Sequence, residues 1–214
     1  MEDLTLDELR PRLATALLAH VPFDGWSRAA LANTASDIGV DPDVAALAFP
    51  NGAPDMIAAY IGTADQAMLA ACATPDFAAL KIRERITRAI RVRFEAAEPH
   101  QEAIRRASAI LALPGNAALS ARLLWSTADA IWRAAGDTST DFNHYSKRAL
   151  ASAVYASTLL YWLQDDSEGR SATWAFLDRR IAGVMRIEKL KARFKGAEGF
   201  SPLRFLGRLR YPAG

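Results

Sequence analysis

Catalysis or metal binding in this chain would have to be assembled from three histidines (His20, His100 and His144), one cysteine (Cys72) and the adjacent carboxylates Asp165 and Asp166. Their spacing assembles neither. The histidines lie far apart, with no ExxH, HxH or HExxH pair to hold a metal. The paired Glu-x-x-His motifs of a di-iron bundle are missing, as are a Gly-rich phosphate loop and a nucleophile elbow. Cys72 sits in an apolar helical run and reads as a small core residue; a lone cysteine excludes an internal disulfide and allows a reduced compartment. Asp165-Asp166 reads as a solvated helix end rather than an acid–base pair. The expectation is a chain without catalytic or metal-binding residues and without a cofactor.

Recognition chemistry is better represented. The stretch GDTSTDFNHYSKRAL, Gly136 to Leu150, begins with turn and cap residues: Gly136 can close one helix, and Ser139 or Thr140 can cap the next. Its second half brings together Asp141, His144, Tyr145, Lys147 and Arg148. Asp141, Tyr145 and Arg148 recur at three-to-four spacing, which puts them on one side of a helix. Tyr and Arg are the residue types that most often dominate interfaces, so this collar is a candidate docking face. The same pattern fits an ordinary capped core helix in which Arg148 pairs with an acid of the bundle and Tyr145 packs inward. Beyond Arg148 polarity drops, and an almost wholly apolar run reaches Leu163. The chain's second half is rich in Trp125, Trp132, Leu159, Leu160, Trp162 and Trp174, with small residues such as Ala151 and Ala156 between them. Small beside bulky can leave an apolar cavity, or simply fill a core.

The elements that would position these groups are all helical. Alanine is abundant and alternating β-branched runs are scarce. Apolar residues at three-to-four spacing predict helices over 6–21, 28–38, 42–49, 54–73, 77–97, 99–113, 116–135, 142–163 and 172–195. The short third helix behind a turn gives the outline of a helix-turn-helix. We therefore expect an all-α chain: a three-helix head (1–50), a larger bundle (51–195) and a linker with a short amphipathic tail (196–214). In that tail Leu203, Phe205, Leu206 and Leu209 lie within about half the helical wheel from Phe200, at about 100° per residue. Arg204 and Arg208 lie opposite, as in a helix that rests on an anionic membrane surface. Docking of the tail on the bundle, or on a second subunit of a homodimer, fits the same pattern.

Charge is divided unevenly. Residues 1–80 hold three Arg against eleven acids, net −8, whereas residues 170–214 hold eleven basic groups against three acids, net +8. A DNA-reading helix needs Lys or Arg for phosphates and Arg, Asn or Gln for bases. The segment in that place, DPDVAALAF, has two acids and no base. The amino-terminal residues are acidic and lack a signal-peptide pattern, and no run reaches the ~18 apolar residues of a membrane span. The expectation is a soluble, cytoplasmic chain at the inner face of the membrane.

GDTSTDF, Tyr145, Lys147-Arg148, Tyr155, Gln164-Asp165, Trp174 and Phe176-Leu177 resemble the ubiquinone-biosynthesis accessory family, the ninth Coq protein. The likeness extends from about residue 9 to residue 193. It implies a TetR-like, non-catalytic, lipid-binding protein that partners the di-iron hydroxylase of demethoxyubiquinone. It also tips the aromatic-rich half toward holding an isoprenoid or phospholipid. The family has Trp where this chain has His144. A ligand-responsive TetR-type regulator is the alternative that the head-plus-bundle plan allows.

Overall fold

The computed structural model describes the backbone of residues 4–137 and 142–196 and the side chains of 4–137 and 144–186. Among these residues it is all-helical, with eleven α-helices and no strand. The amino-terminal part comprises α1 (Leu6–Ala16), α2 (Val21–Asp24), α3 (Arg28–Asp37) and α4 (Pro42–Ala48). The bundle comprises α5 (Ala53–Cys72), α6 (Pro75–Ala79), α7 (Ile82–Ala97), α8 (Gln101–Leu111), α9 (Ala117–Ala134), α10 (Phe142–Trp162) and α11 (Ser171–Gly196). The all-α expectation holds. The amphipathic tail and its residues Phe200, Leu203, Arg204, Phe205, Leu206, Arg208 and Leu209 lie outside the described residues.

Two predicted helices are divided. The apolar stripe from Leu6 to Val21 is one continuous face in sequence, but the helix ends at Ala16. A 3-10 turn, Leu17–Ala19, precedes α2. The stretch 77–97 is likewise two elements, α6 and α7, because Leu80 adopts extended backbone at φ −67°, ψ 155°. Local caps start the amino-terminal helices: Thr5 and Glu8 form a capping box on α1, Ser27 caps α3 and Asp41 caps α4.

One contiguous core joins the amino-terminal helices to the bundle, running from Leu9, Leu13 and Leu17 through Met56, Ile57 and Phe94 to Trp162, Leu177 and Ile181. α1 packs on α4 and α5, α5 on α7 and α9, and α10 on both α9 and α11. Trp26 ties the turn before α3 to the bundle, its indole N–H donating to the Ala103 carbonyl at 3.0 Å. Phe94 is the aromatic centre, with ring centroids of Tyr155 and Trp162 at 5.3 and 5.4 Å. No single described helix is long and apolar enough to cross a membrane.

Candidate lipid cavity and its charged mouth

α9 ends where Gly136 turns the chain at φ +84°, a left-handed conformation that glycine adopts without penalty. The Asp137 N–H then donates back to the Trp132 carbonyl at 2.9 Å. Arg85 of α7 holds this turn from outside. Its Nε donates to the Leu80 carbonyl at 2.8 Å, one terminal nitrogen to Ala135 at 3.1 Å, and the other to Ala78. A cation over the spent carbonyls of two helix ends is favourable both as hydrogen bonding and against the helix dipole.

Asp137 is thereby set beside α10. Its Oδ1 accepts from Lys147 Nζ at 2.7 Å and its Oδ2 from an Arg148 terminal nitrogen at 3.2 Å. Arg148 Nε donates to Asp129 Oδ1 at 2.6 Å, so two cations and two carboxylates form a compensated network. Lys147 also lies over the Trp132 ring, 5.2 Å from its centroid, while the Trp132 indole N–H donates to the Lys147 carbonyl at 3.0 Å. Gly136, Asp137, Trp132 and Lys147 together form one end of a cavity of about 570 Å³. Apart from Arg83 the remaining wall is aliphatic: Ile82, Ile86 and Ile90 from α7, Leu150, Ala151 and Val154 from α10, and Ile181, Val184 and Met185 from α11. Ile82 and Met185 reach solvent, 58% and 41% exposed. An apolar channel of this volume with a few polar groups at one end is the usual constitution of a small-molecule site.

The structure sorts the predicted docking residues. Arg148 is 3% exposed and turned inward, so it belongs to the network and not to an outer face. Lys147 is half-buried on Trp132. Tyr145, by contrast, is 61% exposed, with the His144 ring edge-on at 5.2 Å and the Trp125 ring at 6.1 Å. Asp141 lies outside the described residues. Arg148 points inward because the acids it pairs with, Asp129 and Asp137, sit on α9 and the turn that ends it.

The predicted lipid residues are dispersed. Trp132 lines the 570 Å³ cavity; Leu159 and Leu160 line a second one, on the other side of α10. Trp162 is fully buried in the core, Trp174 is fixed by its indole bond to the Gly169 carbonyl at 2.8 Å, and Trp125 packs on Tyr145. The walls of the larger cavity are aliphatic, and the reading weighted aromatic volume instead. Ile82, Ile86 and Ile90 recur every fourth residue on a helix otherwise crowded with Arg, and that row was the available signal. Asp165 is no solvated helix end. Its carboxylate accepts from the Ser167 and Thr173 N–H groups at 2.9 and 2.8 Å and from the Thr173 hydroxyl at 2.5 Å.

Known proteins extend these observations. Residues 117–188 match the COQ9 family model, a span that contains α9, the charged network, α10 and most of α11. The human (Homo sapiens) ubiquinone biosynthesis protein COQ9, mitochondrial, is 32% identical over 189 residues, 85% of this chain and 59% of the relative. The protein of the same name from Drosophila melanogaster is 28% identical over 89% of this chain and 60% of its own. The chain thus spans about three fifths of the length of these relatives. The crystal structure of a TetR transcriptional regulator from Nitrosomonas europaea superposes with a TM-score of 0.65 at 19% identity, covering 81% of this chain and 96% of that one. The fold is TetR-like, and that likeness concerns the fold alone.

Proposed function

We propose that this chain, a relative of the COQ9 proteins, is a non-catalytic lipid-binding accessory protein of ubiquinone biosynthesis. It takes the apolar chain of a polyprenyl-quinone intermediate into the cavity between α7, α9, α10 and α11, and presents it to the di-iron demethoxyubiquinone hydroxylase at the membrane. The observation that carries this reading is the 570 Å³ aliphatic cavity closed at one end by the Asp137–Lys147 pair. Aliphatic walls suit an isoprenoid, and the charged end suits an oxygenated ring. The exposed Tyr145, with the half-buried His144 and Trp125 rings against it, forms the partner face. The tail, with its alternating Leu and Arg, supplies the contact with anionic lipid at the inner face of the membrane.

The TetR-type regulator is the weaker reading. α4, in the place of a recognition helix, presents Val44 and Leu47, 38% and 67% exposed, together with Asp43, and no cation. Phosphates have nothing there to bind.

Organic extraction of the purified chain followed by mass spectrometry tests the proposal. Ala151→Phe and Val184→Phe narrow the larger cavity and are expected to strip a co-purified polyprenyl lipid while helicity by circular dichroism is retained. Wild-type lipid content in both variants overturns the assignment of the cavity.

A further inference from the structure

α7 carries five arginines, and the fold uses them in two ways. Arg85 and Arg93 turn inward, Arg85 onto the carbonyls of Ala78, Leu80 and Ala135 and Arg93 onto Asp65. Arg83, Arg88 and Arg91 open instead onto a groove of about 520 Å³ between α7 and α11, which Glu84, Thr87 and Asp178 also line. These three side chains donate a hydrogen bond to no described residue. Arg88 and Arg91 share one carboxylate, Glu95, at 3.9 and 3.7 Å, which are ion-pair distances too long for hydrogen bonds. Arg91 Nε is buried without an acceptor. Its guanidinium lies over the Trp174 ring, 4.7 Å from the centroid, and that ring is fixed by its bond to the Gly169 carbonyl. Stacking therefore holds the Arg91 fork in place while its donors stay uncommitted. The acids of the groove do not take those donors. Glu84 accepts the Lys81 N–H at 2.9 Å at the start of α7, and Asp178, across the groove on α11, makes no described ion pair.

We propose that this groove binds a hydroxyl-bearing phosphate ester, its phosphate oxygens accepting from Arg88 and Arg91 and a hydroxyl donating to Asp178. Arg88 and Arg91 stand one turn apart on the same side of α7, so two forks can close on a single anion. A carboxylate has two oxygens and is filled by one fork, whereas a phosphate has oxygens for both. The Asp178 carboxylate repels any anion drawn toward α11, and so places a neutral, hydroxylated end of the ligand on that side. A soluble phosphate such as glycerol phosphate and the headgroup of phosphatidylglycerol both carry this chemistry. Arg83 alone of the groove residues also borders the larger cavity. Arg88, Arg91 and Asp178 therefore test the site apart from the lipid reading.

NMR titration of the isotope-labelled full chain, read on the arginine Nε–H signals at ~50 mM salt where exposed charges are little screened, compares glycerol phosphate, inorganic phosphate, acetate and glycerol. Glycerol phosphate is expected to bind about fivefold tighter than phosphate, and phosphate about fivefold tighter than acetate. Acetate binding as tightly as phosphate, or glycerol as tightly as its phosphate, overturns the proposal. Arg88→Gln changes an exposed side chain, and Arg91→Lys keeps the charge but loses the fork. Each should weaken glycerol phosphate about fivefold with the melting temperature retained. Asp178→Ala should leave phosphate bound and erase the preference for the ester; a preserved preference overturns the hydroxyl assignment. Cosedimentation with phosphatidylglycerol vesicles, with phosphatidylcholine as reference, separates the two sources. Loss of sedimentation in Arg88→Gln, with no shift by glycerol phosphate, assigns the phosphate to a lipid headgroup. Shifts by glycerol phosphate, with sedimentation indifferent to Arg88→Gln, assign it to a soluble ester. If neither ligand depends on Arg88 or Arg91, the proposal is overturned.

Discussion

At the scale of single residues, direction decides role. Arg148 and Tyr145 lie three positions apart, yet Arg148 is held by Asp129 and Asp137 while Tyr145 faces water. Asp165 makes the same point with a measurable consequence. Desolvation at this buried position opposes its ionisation, but hydrogen bonds from Ser167 and Thr173 outweigh it and hold the carboxyl well below the usual carboxylate range. A folded-state value below the unfolded one, about 3.9, means that its contribution is complete above about pH 4 and is lost as the pH falls further toward the folded value. Asp165→Asn leaves one carbonyl oxygen where two oxygens accept, so either the Ser167 N–H or the Thr173 N–H and hydroxyl lose their acceptor, at an expected cost on the order of 2 kcal/mol at pH 7. Thermal melts from pH 7 to pH 2 check this: the gap between wild type and variant should close only below about pH 4. A gap that is constant with pH would assign Asp165 a packing role instead.

At the scale of elements, α10 is a partition. At about 100° per residue, Leu150, Ala151 and Val154 point about 170° away from Ala156, Leu159 and Leu160. The buried stripe of Arg148, Tyr155 and Trp162 runs between the two sets, so one helix can wall two cavities and still anchor in the core. Its placement depends on the turn at Gly136. A Cβ there would sit at φ +84° and 3.1 Å from an Arg85 nitrogen that already bonds the Ala135 carbonyl. Left-handed backbone costs a side-chain-bearing residue roughly 1–2 kcal/mol. Gly136→Ala should therefore lower Tm by roughly 2–8 °C in a domain of this size. Gly62, inside α5 with nothing within 4 Å, is the control. Gly62→Ala should be neutral or slightly stabilising because alanine is the better helix former. Similar melting shifts for both would mean that the turn is not under conformational constraint.

For the whole molecule, charge distribution is the governing feature. The acidic first 80 residues, net −8, carry the helix that in a regulator would approach DNA, and the basic groups gather behind it. Fluorescence anisotropy with duplex DNA at ~50 mM salt, where phosphate contacts are strongest, should show only weak association that does not depend on sequence. Tight binding abolished by substitution of Val44 and Leu47 would restore the regulator reading.

The sequence by itself determined the fold class, the caps and the ends of most helices, and the place of the turn at Gly136. These depend on residue periodicity and on local backbone preferences, which neighbours along the chain express. It also carried the family likeness between Gly136 and Leu177, because that motif is contiguous. Only the tertiary structure decided where Arg148 points, that Asp65 meets Arg93 and Thr127 across three different helices, and that the larger cavity is lined by Ile82, Val154 and Ile181 with Trp132 at its side. Each of these is a contact between distant segments. A cavity is volume left unfilled between helices, and its walls follow from how α7, α9, α10 and α11 pack rather than from the pattern of any one of them.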